Sequence, residues 1–431
     1  MGRKLSGWKD FALLFLGQTL SQFGSAMTGF AVIIWAYTEK GQVMASSLLG
    51  ICSAIPYLIV SIAGGAVVDR GNKKKIMLIC DFAAALGSMA IFLCFYRGIL
   101  QLWVLCAVNI LSGFMNAFQK PASQVAVSLL IEKQDYAKAG GIQSVVEAAV
   151  SIVTPVLAAA ALSVGGLGLV LWVDLATFFL AFFSLLFFVK IPEISQKEKK
   201  TSAVQLREDM LAGVRFLRQE RGIFLLLLLY SILEFAGAIS FDSMYSPLLL
   251  ARTGNHEMVV GVVSSFMAAG CLAASILISV RKPPRKKLPA MYAGSFLCLL
   301  GIMLFGMGRN LYWWCAVVFC GCFGAPVYQT YQTVILRERV PVDMQGRIFS
   351  MQGMITGMLT PMGYFLGAVL ADDWLEPFMQ RKSGVQQVLS VFVGEGKGAG
   401  IGVIFVFAGL FGIVLLGMIG RNRSIKALDE D

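Results

Sequence analysis

Apolar stretches recur along the whole chain, each long enough to cross a bilayer and each bounded by a short charged segment. They run near Phe11–Trp35, Ser47–Val68, Ile76–Tyr96, Leu100–Phe118, Ala139–Val164 and Leu167–Val189 in the first half. In the second half they run near Ile223–Leu249, Met258–Val280, Leu288–Met307, Leu311–Thr333, Ile348–Ala371 and Ile401–Ile419. Each exceeds the roughly 18 residues taken for a spanning helix. Strand-type alternation of apolar and polar residues is missing from them, which excludes an outer-membrane barrel. The pattern predicts an all-α membrane protein of twelve transmembrane helices.

The second feature of the pattern is that it repeats. Leu130–Pro155 and Leu336–Pro361 align without a gap at a shift of 206 residues, with seven identities over 26 positions. Roughly one or two identities are expected for unrelated segments of average composition. The identical pairs include Glu132/Glu338, Gly140/Gly346, Ser144/Ser350, Thr154/Thr360 and Pro155/Pro361. A looser echo pairs Asp69–Ile76 with Arg281–Leu288, the loops after spans two and eight. Both echoes are six spans apart and fall on one membrane side, so the halves are parallel repeats about an axis along the membrane normal. The expected division is a six-helix half over 1–190, a linker over 191–221 and a second six-helix half with its tail over 222–431. In the linker, Leu206, Met210, Val214 and Leu217 recur at helical spacing among charged residues. That spacing predicts a helix lying at the membrane interface; a solvated connector is the alternative.

Charge then orients the bundle. Of the 36 Lys and Arg residues, 29 fall in the termini and the loops that share their side, and seven fall in the opposite loops. By the positive-inside rule both termini are cytosolic, in a plasma membrane. The net charge of +11 is thereby accounted for by topology, with no nucleic-acid partner implied. All nine cysteines lie within spans, so no outer-loop disulfide and no Cys/His metal site is expected. No cofactor is implied. Gly394-Glu395-Gly396-Lys397 lacks the spacing of a phosphate-binding loop, so a transport cycle would draw on an ion gradient.

Polar residues inside the spans carry the candidate chemistry, because buried polar groups in the hydrocarbon layer are costly and usually line a cavity or pathway. Five acids lie within or just inside spans: Asp81, Glu147, Asp174, Glu234 and Asp242. Carboxylates shielded from water and lacking a cationic partner are candidates for carrying protons. The single histidine, His256, falls in an outer loop. Ser144, Glu147, Ser151 and Thr154 give span five one polar face, and Pro155 after them favours a bend; Pro361 is its counterpart in span eleven. That face could instead be packed between helices and satisfied there. Glu234 and Asp242 share one broad side of span seven. Gln18, Gln22 and Ser25 stripe span one, Asn109, Ser112 and Asn116 span four, and Tyr328, Gln329, Tyr331 and Gln332 span ten. The segment Asp372–Gly400 is the longest outer loop, with an amphipathic run near Val385–Val393.

One loop motif carries a resemblance. Gly65-Ala66-Val67-Val68-Asp69-Arg70-Gly71-Asn72-Lys73-Lys74-Lys75-Ile76, after span two, resembles the loop signature of the major facilitator superfamily, with Asn72 where that pattern usually has glycine. The Val68–Met77 run, with Gly346-Arg347-Ile348-Phe349-Ser350 after Glu338, is similar to bacterial drug exporters of the macrolide-efflux type. The resemblance implies the major facilitator fold, with spans one, four, seven and ten around a central cavity. It implies that Asp69 latches the halves on the cytosolic side against span eleven, with Arg70, Lys73, Lys74 and Arg347 pairing with neighbouring acids and lipid phosphates. It places Glu147 on a span-five antiporter motif in which Thr154 stands for the usual glycine. It places Asp81 and Asp174 on peripheral spans or helix ends, which makes them structural.

Proton-coupled export of small amphipathic compounds by a monomer follows as the leading expectation. Protons and membrane lipids are its other partners, and Glu147, Glu234 and Asp242 are the proton-coupling candidates. The cavity-lining candidates are Gln18, Gln22, Asn109, Asn116, Ser151, Tyr328, Gln329 and Gln332. An importer or lipid flippase of the same fold is the alternative. A membrane-embedded enzyme would need a nucleophile–base or metal set, and a sensor an appended soluble domain; the sequence offers neither.

Overall fold

The computed structural model describes residues 2–131, 136–189, 215–281, 284–381 and 383–429. The linker residues 190–214, and the side chains of Gly65, Asp69, Arg70, Ser144 and Arg347, lie outside what it describes, so the latch and the interfacial helix expected there are not addressed by it. Among the described residues the regular structure is all helical. Eleven helices are long and apolar enough to cross a membrane.

One of the eleven crosses twice. Tyr136–Phe183 is written as a single helix of 48 residues, which at 1.5 Å per residue would reach about 72 Å, more than twice the hydrocarbon thickness. It is broken at Gly166, where φ is 61° and ψ is −167°. A positive φ costs a glycine little and other residues much more. Contacts with span one (Gly2–Lys40) show what the break does. Ala139 packs with Phe11 and Phe15 near the start of that span. Leu185 and Val189 pack with Leu14, again near the start. Asp174 instead meets Ser25 and Thr28, further along. The chain leaves the N-terminal end of the bundle after Ala139, turns at Gly166 and returns by Leu185. Spans five and six are therefore antiparallel neighbours, and the eleven long apolar helices of the described residues accommodate the twelve spans expected from the sequence.

The chain divides into two compact units, residues 1–198 and 199–431. In the first, span two (Val43–Arg70) and span three (Lys73–Tyr96) both pack on span four (Leu102–Leu130), while spans one and three pack on the kinked five–six helix. In the second, span eight (Glu257–Val280) and span nine (Leu288–Met307) both pack on span ten (Leu311–Arg339). Span seven packs on span eleven (Val342–Val369), and span nine on span twelve (Ala399–Gly420). The pairing scheme is the same six-helix scheme used twice. Glycine marks corresponding crossings in both units. A methyl group on Gly113 of span four would overlap the carbonyl oxygen of Ser53 on span two, and one on Gly270 of span eight would overlap that of Phe319 on span ten. Small residues at such crossings let helix backbones approach closely in a membrane.

Span seven is not one regular helix. Arg221–Ala236 passes through a π-helical turn, Gly237–Asp242, before resuming as Ser243–Thr253. Helix continues through Pro155 and Pro361, so the sharp departure from helical geometry falls at Gly166 rather than at either proline. Beyond span eleven, a π-helical turn, Leu370–Leu375, leads into the short helix Glu376–Gln380. A ten-residue helix, Gly384–Val393, follows. The outer loop is tied down from both sides. Arg252 of span seven donates to the carbonyls of Gly308, Val393 and Gly398. The Glu376 carboxylate accepts the amides of Gly398 and Gly400 at the start of span twelve, where the positive end of a helix favours an anion.

Candidate functional site

All six spans of the first unit line one cavity of about 1000 Å³. Its chemistry is arranged in two tiers by helix geometry. On span one, Gln18 and Ser25 are seven residues apart, two turns, which puts them on one face and about 10 Å apart along the axis. On span three, Asp81 and Ser88 have the same spacing. The two spans run in the same direction, so the lower pair meets and the upper pair meets.

The lower tier is a carboxylate held by amides. Asp81, 7% exposed, accepts from Gln18 Nε2 at 3.1 Å and from Gln119 Nε2 of span four at 2.9 Å. Gln119 Nε2 also donates to Gln18 Oε1 at 2.9 Å. The upper tier is a carboxylate held by hydroxyls. Asp174 of span six, 2% exposed, accepts from Ser25 at 3.2 Å, Thr28 at 2.9 Å and Ser88 at 2.7 Å.

A third carboxylate, Glu147 of span five, lines the same cavity beside Gln143 and is exposed to it. On the same helical face, Ser151 is exposed and donates to the Glu147 carbonyl at 2.9 Å, outside the cavity lining. Thr154 is buried and its hydroxyl has no partner among the described residues. Lys120 is the one cationic side chain among the described lining residues; its Nζ lies 5.1 Å from the centre of the Tyr57 ring. The sequence reading put Lys120 in a loop, whereas span four runs on as helix to Leu130 and carries Lys120 into the cavity wall.

Of the residues expected at a cavity, Gln18, Gln22, Asn109 and Asn116 line this one, and Ser151 does not. The reading of Asp81 and Asp174 as peripheral is corrected: both stand on the wall. The signal available in sequence was the shared seven-residue spacing of Gln18/Ser25 and Asp81/Ser88, which places matching polar groups on parallel helices.

The remaining candidates belong to the second unit. Tyr328 of span ten donates to Glu234 Oε1 at 2.8 Å, and Gln329 Nε2 lies 3.4 Å from the Tyr328 hydroxyl. Tyr230, one turn before Glu234, stacks at a tilt on Tyr328 with ring centres 6.1 Å apart. Gln332 is buried, with its amide nitrogen unpartnered among the described residues. Asp242 closes the π-helical turn of span seven.

The loop after span two has a local structural role that the sequence left open. Asn72, in place of the usual glycine, caps span three by accepting the Lys75 amide at 3.0 Å. Lys74 Nζ donates to the carbonyls of Leu186 and Val189 at 3.0 and 2.7 Å, neutralising the negative end of span six. In the second unit the echoed loop works differently. Lys287 pairs with Glu338 of span ten, and its backbone amide donates to Asp429 of the tail at 2.8 Å.

A sequence profile of the Major Facilitator Superfamily matches residues 14–371, most of the chain. The chain belongs to the Major Facilitator Superfamily. Within the superfamily it is similar to Macrolide efflux protein A of Streptococcus pyogenes, 26% identical over 373 residues that cover 86% of this chain and 91% of that one. It is similar to Macrolide efflux protein A of Enterococcus faecalis, at 26% over 327 residues, covering 75% and 99%. The Enterobactin exporter EntS of Escherichia coli O1:K1 / APEC is 23% identical over 343 residues, covering 78% and 79%. Among solved structures, a bacterial homologue of the iron transporter ferroportin in an inward-facing state aligns with a TM-score of 0.70 at 16% identity, covering 96% and 99% of the two chains. A bacterial homologue of the lysosomal transporter Spinster aligns with a TM-score of 0.68 at 14% identity, covering 99% and 97%. These structural likenesses establish the superfamily's fold. With the family, they make the chain a multi-pass membrane transporter.

Proposed function

We propose that this transporter exports small amphipathic compounds, of macrolide-like size and polarity, out of a bacterial cell in exchange for protons. The observation that carries the reading is the concentration of carboxylates on one cavity. Asp81, Asp174 and Glu147 face it, with Lys120 the one cation among its described lining residues. Such a wall favours cationic or proton-bearing occupants over anions. The names of the curated relatives, macrolide efflux proteins and an enterobactin exporter, point the same way. Glu147 is the proton carrier in this reading, because its carboxylate is the accessible one of the three while the other two are fixed by hydrogen bonds.

The protein works as a monomer in the plasma membrane with both termini in the cytosol, its six-helix halves joined by the linker over 191–221. Alternating access supplies the cycle: a proton entering from outside displaces the compound, and its release inside resets the cavity. The test is accumulation of a labelled macrolide in a pump-deficient host. Cells expressing the protein should accumulate less, and an uncoupler should erase the difference. Glu147→Gln should erase it too, at normal protein levels. Higher accumulation in expressing cells would mean uptake and overturn the exporter reading.

A further inference from the structure

We propose that Asp174, Ser25, Thr28 and Ser88 form a binding site for one monovalent cation, either a sodium ion or the protonated amine of a transported compound. The proposal rests on the cavity described above and not on the direction of transport. Its warrant is the contrast between the two tiers. Asp81 is met by amide N–H groups, and Gln119 cannot be turned round without setting its oxygen against the carboxylate. In the observed arrangement those partners turn N–H groups, not oxygens, toward the carboxylate. Asp174 is met by three hydroxyls, at 3.2, 2.9 and 2.7 Å. Each hydroxyl carries lone pairs as well as a proton and rotates to suit its neighbour, so the same three groups that donate to the empty carboxylate become ligands when a cation arrives.

The set is two carboxylate and three hydroxyl oxygens, with no nitrogen or sulfur. Such all-oxygen sites take hard cations, and softer transition metals look for nitrogen or sulfur. Its formal charge is −1, which one positive charge cancels. A divalent ion would leave an uncompensated charge in a buried place, at high cost. The ligands come from spans one, three and six, and all four residues line the cavity, so an occupant would bridge three helices and have a route in. Two further details keep the site open. A Cβ on Gly24 would overlap Thr177 Oγ1 and crowd the Asp174 backbone, so span one comes close because glycine stands there. Thr177, which could otherwise compete, spends its hydroxyl on the Asp174 carbonyl at 2.9 Å. Lys120 adjoins Gln119 in the other tier and leaves the Asp174 charge to be met by a ligand.

The experiment uses the purified full chain in lipid nanodiscs. One arm follows the thermal unfolding midpoint as NaCl replaces choline chloride at constant ionic strength. The other measures binding of a macrolide bearing a tertiary amine against an analogue whose amine has been N-demethylated to the secondary amine and then acetylated, which leaves a neutral amide. A saturable rise with sodium identifies the inorganic ion; at least about tenfold tighter binding of the free amine identifies the ammonium group. In whichever arm responds, Thr28→Val and Ser88→Ala should each weaken the response about tenfold, the size of one hydrogen bond to a charged partner. Ser163→Ala, at the exposed end of span five, should leave it unchanged. Asp174→Asn should abolish it, and if that variant does not fold the two hydroxyl variants still decide. No response in either arm, or a response that survives Thr28→Val and Ser88→Ala, overturns the proposal. Because binding is read without a gradient, cation binding without export would sink the exporter reading alone. Export without cation binding would sink this inference alone.

Discussion

The two halves share a scaffold and differ in what they put on it. Both pair their six spans in the same scheme, and both set a glycine against a carbonyl where the second or eighth span crosses the fourth or tenth. The first half then gathers acids held by amides and hydroxyls around a cavity. The second buries an aromatic cluster, Phe241, Phe305 and Phe405, with ring centres 5.1 to 6.1 Å apart, and holds Glu234 through a tyrosine. Backbone packing constrains helix crossings tightly, since a single added methyl meets main chain. Polar content is constrained only by the need to satisfy each group. Duplication could therefore preserve the first and leave the second free to specialise.

Substitutions can break this comparison, beginning where the effect is largest. Asp81→Leu strands the Gln18 and Gln119 amides and should cost about 3 kcal/mol, with transport lost. Glu234→Gln keeps an acceptor for the Tyr328 hydroxyl and should cost about 1 kcal/mol. Thermal unfolding of both proteins decides the order, and a costlier Glu234→Gln would show that the second half holds the tighter polar network. Next in size, Gly113→Val and Gly270→Val should each destabilise by about 2 kcal/mol. Equal losses are the mark of a repeated scaffold; a loss confined to one would show that the two crossings are not equivalent. Smaller still, Lys74→Met uncaps the end of span six and should cost about 1 kcal/mol. Lys287→Met removes an ion pair whose acid is 52% exposed and should cost about 0.5 kcal/mol or less. Denaturant titration of the pair would sharpen the difference between a lysine that caps a helix and one that meets an exposed acid.

The spans and the repeat were legible because they depend on local composition and on spacing along the chain. The glycine pair at 165–166 separated spans five and six in the sequence, and the structure turns at that point. The stripe at Gln18, Gln22 and Ser25 was legible too, since one helix presents it. What it faces was not. Asp81 lies 63 residues from Gln18 and Asp174 lies 149 from Ser25, and no local pattern announces which helices will adjoin. Lys120 was misplaced because apolar composition ends before the helix does. Asn72 looked like a flaw in a loop motif, and in the folded protein it is the cap of the next helix.

The central claim is that proton coupling resides in the carboxylates of the first half. It is tested most directly in everted membrane vesicles that hold a proton gradient reported by a quenched dye, to which a macrolide is added. The wild-type protein should release protons on addition, and so should Glu234→Gln, whereas Glu147→Gln should release none while still reaching the membrane in normal amounts. Release from Glu147→Gln at the wild-type rate, with release lost in Glu234→Gln, would contradict the account and move the coupling site to the second half.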